Sequence, residues 1–402
     1  MKILLLTDIP PCKNLTAGLV LDQLCNFLPH GSLVCFTVLN PHLSASLSPD
    51  LGWIPITYAI KPEENAHRWP AGRWGVVSAA VVETYRRLFD IPVLLEQAET
   101  FASLCQVDAI WAVLQGQTMV RLARPLADRL GVPLYTQVWD PLSWWLTARR
   151  VDPWNRALAL EAFDAAMRRS RACAAASWPM AEEYSAKYGI LSVPVISSHD
   201  PAMARHPHLE GGSGSVVTIG MAGQFYAAYE WNLLIKALNH AGWKVCGKDV
   251  RIITMGGGPP PCYYPPEGPV EFLGWKSQPE AIQILSEADI LYCPYPFAPE
   301  MAEVVRLSFP SKLVLYLAAG RPVLFHGPAE SSAARYLALR DAGVCCTTPE
   351  AATIYNELQR LVMDPELYCR VGVNGQKAFL SDFTLETMRR NFYAFLGLRD
   401  NQ

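Results

Sequence analysis

Two strand-to-helix junctions in the second half of the chain carry residue types that could hold a phosphate. The first is Phe309-Pro310-Ser311-Lys312-Leu313. Proline and serine at a helix start, with lysine in the first turn, place a hydroxyl, free amides and a cation at the positive end of a helix dipole, which is what a diphosphate needs. A lysine so early in a helix opposes the dipole unless an anion sits beside it, so the placement favours a binding role over a solvated surface lysine. The second junction is Gly220-Met221-Ala222-Gly223-Gln224-Phe225. Gly223 would let the backbone approach a phosphate and Gln224 could donate two N–H bonds, although an ordinary turn between strand and helix reads the same way.

Other reactive residues suggest no second chemistry. The 11 cysteines are scattered, with no C-x-x-C pair and no Cys/His cluster at zinc spacing, and Cys345 and Cys346 are adjacent. They read as small buried hydrophobes in a reducing cytoplasm, and no metal is expected. His67, His199, His206 and His208 read as surface or linker residues, whereas His326 follows a strand end that a ligand could reach. A formal net charge of -3 lacks the basic footprint of phosphate-neutralising nucleic-acid binders, so nucleic acid is not an expected partner.

At 402 residues, the chain exceeds one ordinary core and fits two domains. The apolar run at 2–6 reaches Asp8 and Pro10 too soon for a signal or spanning segment, and reads as a first buried strand. Strands are expected at 3–7, 33–38, 54–59, 109–114, 134–137, 173–176 and 193–196, with helices at 18–27, 76–89, 91–105, 117–130 and 155–169. Such alternation implies a parallel sheet with helices on both faces. The same grammar restarts with strands near 216–221, 251–255, 270–273, 290–293, 323–325 and 343–345. The expected division is a first Rossmann-like domain at 1–198, a linker at 199–214 and a second such domain at 215–380. A helix at 381–402, amphipathic through Met388, Phe392, Phe395 and Leu396, then packs back on the first domain. Ligands of such sheets bind beyond the carboxyl ends of the strands.

The block Ala288-Asp289-Ile290-Leu291, Phe309-Pro310-Ser311-Lys312-Leu313 and Tyr316-Leu317-Ala318-Ala319-Gly320-Arg321-Pro322-Val323 resembles the donor-domain signature of family-four glycosyltransferases. Val270-Glu271-Phe272-Leu273-Gly274-Trp275 is similar to that family's loop beside the base, and residues 1–8 with Gly18 resemble its first strand and glycine loop. The resemblance implies a GT-B fold: two Rossmann-like, doubly wound parallel-sheet domains facing a central cleft. It further implies a nucleotide-diphosphate sugar donor, retention of configuration, no bound metal and no cofactor, the sugar nucleotide being a substrate. The chain independently lacks a D-x-D motif.

Carried over by position, Lys312 would neutralise the diphosphate. Gly18, Gly223, Gln224, Gly256, Gly274, Trp275, Arg306 and Ser311 would complete the donor site, with Arg321 as a further cation. Val138-Trp139-Asp140 stands where many relatives have V-H-D, so Trp139, Asp140 and Trp144, with Arg149 and Arg150 nearby, form the expected acceptor site. The family's paired glutamates would fall at Leu307 and Leu315; Glu300 and Glu303 are nearby, and Glu303 joins Lys312 and Asp140 as a catalytic candidate. Glu230 stands where a lysine is common. These residues imply a hexosyltransferase-like enzyme in the cytoplasm, acting on a saccharide, lipid-linked or small-molecule acceptor, with peripheral membrane contact left open. The alternatives are a non-catalytic GT-B scaffold or sugar-nucleotide-binding subunit, and a sugar-nucleotide epimerase.

Overall fold

A computed structural model describes residues 1–61, 64, 72–209 and 214–399. His67 and positions 210–213 of the expected linker lie outside the described residues. The chain forms two compact units, Met1–Val195 with Arg389–Gln402, and Ile196–Met388.

The first unit is built on seven strands: β1 (Ile3–Thr7), β2 (Leu33–Leu39), β3 (Ile56–Ile60), β4 (Ala109–Val113), β5 (Leu134–Val138), β6 (Ser170–Ala175) and β7 (Leu191–Pro194). They run in the order β3-β2-β1-β4-β5-β6-β7, and every pairing is parallel. Central strands β1, β4 and β5 are buried at every position, because helices cover both faces and leave no solvated side to alternate with. The order reverses between β1 and β4, so the helices that follow these strands leave towards opposite faces and open a crevice at their carboxyl ends.

The second unit repeats the design with β8 (Val216–Ala222), β9 (Lys244–Val245), β10 (Lys248–Met255), β11 (Val270–Phe272), β12 (Ile290–Pro294), β13 (Val323–His326) and β14 (Val344–Cys346). The order is β11-β10-β8-β12-β13-β14, with β9 paired antiparallel to β10, so the reversal lies between β8 and β12. The Gly223 turn leaves the carboxyl end of β8, and Pro294 ends β12.

Sequence periodicity located the central strands and missed two helices, Leu142–Ala148 and Trp178–Tyr188. Both are short, and the first carries two tryptophans that read as a site rather than a helix face. The helix expected at 76–89 begins at Arg73, runs to Tyr85, and passes through a π turn, Arg86–Asp90, into helix Ile91–Cys105. Pro92 has no N–H for the Leu88 carbonyl, which explains the register change.

The segment expected as a linker begins inside the second unit. Arg205 N donates to Ala318 O at 2.8 Å, and Gln376 Nε2 donates to Arg205 O at 2.6 Å. A Cβ on Gly320, whose φ is +67°, would lie 2.6 Å from Arg205 O, so only glycine admits this approach. Among the described residues, no helix is long and apolar enough to cross a membrane.

The tail of helix Leu385–Leu396 belongs to the first unit from Arg389 onward. Phe392 packs on Trp111 with ring centroids 4.9 Å apart, and Phe395 meets Tyr135 edge-on at 5.7 Å; both phenylalanines are fully buried. Truncating such a ring leaves a cavity that β4 and its neighbours cannot close. Phe392→Ala should therefore lower the unfolding free energy of the first unit by about 3–5 kcal/mol, measured by urea titration of tryptophan fluorescence.

Candidate functional site

Helix Ser311–Ala318 begins after Pro310, with Ser311 exposed at its first position and Lys312 at its second. Lys312 is buried; its Nζ donates to Pro294 O at 3.1 Å and sits 4.3 Å from the centroid of the Tyr226 ring. Among the described residues, no carboxylate lies within ion-pair distance of it. Burial pulls its ammonium below the ordinary lysine range, against Cys293 and Glu230, which favour the charged form. A nearly dry cation with one carbonyl and a ring face has unmet capacity for a negative partner. That capacity stands at the carboxyl end of β12, beside the point where the strand order reverses.

The Gly223 turn faces this lysine. Gly223 has φ +104°, so a larger residue would be strained there, and a Cβ at this position would touch the Lys312 Cβ at an ordinary 3.5 Å. Gly223 N donates to Met255 O at 3.0 Å, and Gly256 N donates to Gly274 O at 3.1 Å. A Cβ on Gly256 would come within 2.5 Å of Gly223 O. The three glycines thus lock three strand-end turns together, and the Gly223 and Gly256 amides already have acceptors.

Glu230, on helix Ala228–His240, is buried and accepts from Phe297 N at 2.7 Å. Burial raises its carboxyl above the usual range, offset by the Phe297 amide and the Lys312 charge. Tyr226 and Glu230 are the partners of Lys312 that a sequence pattern could not supply, because their proximity depends on how helix Ser311–Ala318 crosses the turn after β8. Gln224 and Trp275 are exposed, and Gly274 has φ +73°. Glu303 and Arg306 stand half-buried on the short helix Ala302–Leu307, while Glu300 is exposed on the turn before it. Leu307 is buried and Leu315 half-buried, so apolar side chains occupy both positions of the expected glutamate pair.

Four expectations need correction. Arg321 precedes β13, at the amino end of the sheet, and its guanidinium donates to the carbonyls of His206 at 2.9 Å, Gly320 at 3.0 Å and Ser286. It ties loops together at the end opposite Lys312. His326 is a fully buried member of β13, held between Tyr292 Oη at 2.8 Å and Thr348 O at 3.1 Å, and no ligand can reach it. His199 is buried rather than superficial, with its backbone paired to Phe383 and Leu385. Cys246 and Cys262 are exposed, unlike the buried majority.

In the first unit, Trp139 and Asp140 follow β5 directly and Trp144 lies on helix Leu142–Ala148, all three half-buried. Gly18, in helix Thr16–Asn26, admits the loop after β1: a Cβ there would overlap Cys12 Sγ at 2.1 Å. The sequence reading missed a charged cluster. Lys61, which follows β3, bonds Glu64 Oε1 at 2.9 Å and lies 3.8 Å from Asp8. Glu64 also accepts from Gln117 N at 2.5 Å and Thr118 N at 3.1 Å, so it occupies the positive end of helix Gly116–Leu130. Burial opposes ionisation of both carboxyls. Lys61 and these amides nonetheless hold Glu64 below its usual range, while Asp8 is raised. Charged residues just after β1 and β3 were a usable signal. Among the described residues, no group of three or more His, Cys, Asp or Glu could hold a metal ion.

Burial pushes the His199 and His326 rings from 6.5 down to about 4, so both stay neutral in the folded chain. Unfolding lets them take up protons below pH 6.5. Their contribution is therefore complete above that pH and is lost as the pH falls towards about 4. The urea midpoint should drop across that interval, and His326→Gln should flatten the drop.

No family model matches the chain, and no curated protein matches it. Solved structures do. Anabaena HepE, crystallised with UDP, superposes at a TM-score of 0.66 with 15% identity, covering 99% of this chain and 100% of that one. A sucrose-phosphate synthase from Thermosynechococcus elongatus gives 0.67 and 12%, over 99% and 98%. An α,α-trehalose 6-phosphate synthase from Burkholderia multivorans gives 0.62 and 13%, over 98% of each chain. At these identities the likeness establishes architecture: the chain has the GT-B fold, two doubly wound parallel-sheet units of the kind these glycosyltransferases share.

Proposed function

We propose that the chain is a glycosyltransferase that moves a sugar from a nucleotide-diphosphate donor to a hydroxyl-bearing acceptor, with retention of configuration and without a metal. The observation that carries this reading is the buried Lys312 ammonium at the strand-order reversal of the second unit, with no carboxylate in ion-pair distance among the described residues. A departing nucleoside diphosphate gains negative charge as the bond to the anomeric carbon breaks. A preorganised cation in a dry site stabilises that charge more than it stabilises the intact donor. Ser311 at the same helix start is the second expected donor, and the Gly223 turn lies against the Lys312 stem. HepE crystallised with UDP-glucose supports a donor of this class. Asp140, Trp139 and Trp144 are the proposed acceptor contacts, and Glu303 and Arg306 the residues proposed to assist near the transferred sugar. The enzyme would act in the cytoplasm, with no cofactor.

Leu307 and Leu315 favour one second reading, a GT-B subunit that binds a sugar nucleotide without turning it over, because neither can hold a ribose or assist a leaving group. Donor hydrolysis in the absence of acceptor separates the two readings.

UDP should raise the melting temperature of the chain, and Lys312→Met, which keeps the buried volume, should abolish that shift. The same variant should lower kcat/KM by about 10²- to 10³-fold, the scale of losing one preorganised charge-stabilising donor. An unchanged rate would remove the proposed diphosphate site. Turnover should persist in excess EDTA; a strict need for a divalent ion would contradict the metal-free mechanism.

A further inference from the structure

The first unit contains a cavity of about 490 Å³ bounded by the carboxyl end of β3, the π turn Arg86–Asp90, the start of helix Ile91–Cys105 and the first turn of helix Gly116–Leu130. Its volume falls in the range of about 300–1,000 Å³ typical of small-molecule sites. One end is polar. Gln117 is 1% exposed; its Nε2 donates to Glu83 Oε2 at 3.1 Å, and its Oε1 has no partner among the described residues. A buried amide oxygen in this condition calls for a donor, and a hydroxyl would serve. Part of the lining is apolar: Ile60 and Val93 are 70% and 53% exposed, and Leu94 is buried.

Among the described residues, the charges lining this cavity are equal in number. Lys61, Arg86 and Arg121 are matched by Glu64, Glu83 and Asp90, three against three. Lys61 is held by Glu64 at 2.9 Å and Arg86 by Glu83 at 2.5 Å. Arg121 donates to Asn155 O at 3.4 Å, and the Glu83 and Glu64 charges favour its charged form against burial. A phosphorylated ligand would have to compete with Glu64 and Glu83 for these cations, whereas an uncharged one would not. The π turn, which interrupts the helix register at this wall, is a feature that proteins place at functional sites more often than elsewhere.

We propose that this cavity binds an uncharged amphiphile, with a hydroxyl-bearing head at the Gln117–Glu83 end and an apolar portion along Ile60, Val93 and Leu94. Resting on the transferase reading, this molecule is the sugar acceptor, so the substrate class is a neutral hydroxylated amphiphile and not a sugar phosphate. The Gly116 turn links the cavity to the tryptophan-bearing helix expected at the acceptor site, since a Cβ on Gly116 would meet the Trp145 ring at 3.2 Å.

The test is calorimetric binding of n-octyl β-D-glucoside, below its micelle-forming concentration, beside glucose and glucose 6-phosphate. The glucoside should bind at one site, more tightly than either sugar. Val93→Asp, at an exposed helix position, should weaken it about tenfold without changing the melting temperature, the effect of losing part of an apolar contact. Gln117→Met should weaken it similarly. The proposal is overturned if glucose 6-phosphate binds more tightly, if the glucoside does not bind, or if both variants bind it as the wild type does. UDP binding in the same preparations separates the two ideas. UDP binding without glucoside binding removes only the cavity proposal. Glucoside binding with no UDP binding removes the transferase reading and leaves the cavity a ligand site.

Discussion

The second unit is organised around a lysine ammonium that it has taken out of water. Lys312 is drawn under the Tyr226 ring and against the Pro294 carbonyl by its place in the first turn of helix Ser311–Ala318. A cation there works against the helix dipole and against its own desolvation, so local electrostatics do not account for it. The arrangement is explicable if the surrounding turns exist to receive an anion. The features around it agree: the turn beside the lysine needs a glycine at φ +104°, and Gly256 lets two strand-end turns meet where a Cβ would lie 2.5 Å from Gly223 O. The strand order reverses at this place. Each is a local departure from what packing alone would select.

The first unit handles a helix N-terminus differently. The positive end of helix Gly116–Leu130 is met from within the chain by Glu64, itself held by Lys61. That amide pair is therefore engaged, and the polar atom without a partner among the described residues is Oε1 of Gln117 itself. Two units with the same doubly wound architecture thus present opposite chemistry at their strand ends. One offers a buried ammonium with no carboxylate in ion-pair distance among the described residues, and the other a cavity whose described charges are equal in number.

Much of the fold was legible because central parallel strands are buried on both faces and appear as short apolar runs between turn residues. Residues 3–7, 33–38 and 109–114 were placed within a residue of β1, β2 and β4. Edge strands were less well placed: β3 begins two residues later than expected and β7 two residues earlier, since half-exposed edges carry mixed patterns. Helix Leu142–Ala148 was missed because its tryptophans and its brevity hide its period. His326 was misjudged for a related reason: the end of a strand in sequence can still be the middle of a layer in space, and Tyr292 and Thr348 close over it.

By itself the sequence determined two alternating α/β units, the glycine turn at Gly223, and a lysine set where a helix begins. These follow from periodicity and backbone preference, which act over a few residues. Only the tertiary structure decided that Lys312 is dry and, among the described residues, beyond ion-pair distance of any carboxylate, that Arg321 belongs to the opposite end of its sheet, and that Asp8, Lys61 and Glu64 converge. Burial and charge pairing depend on segments 50 or more residues apart meeting at strand ends, as Glu64 and Gln117 do at a sequence separation of 53. No short-range pattern encodes that meeting.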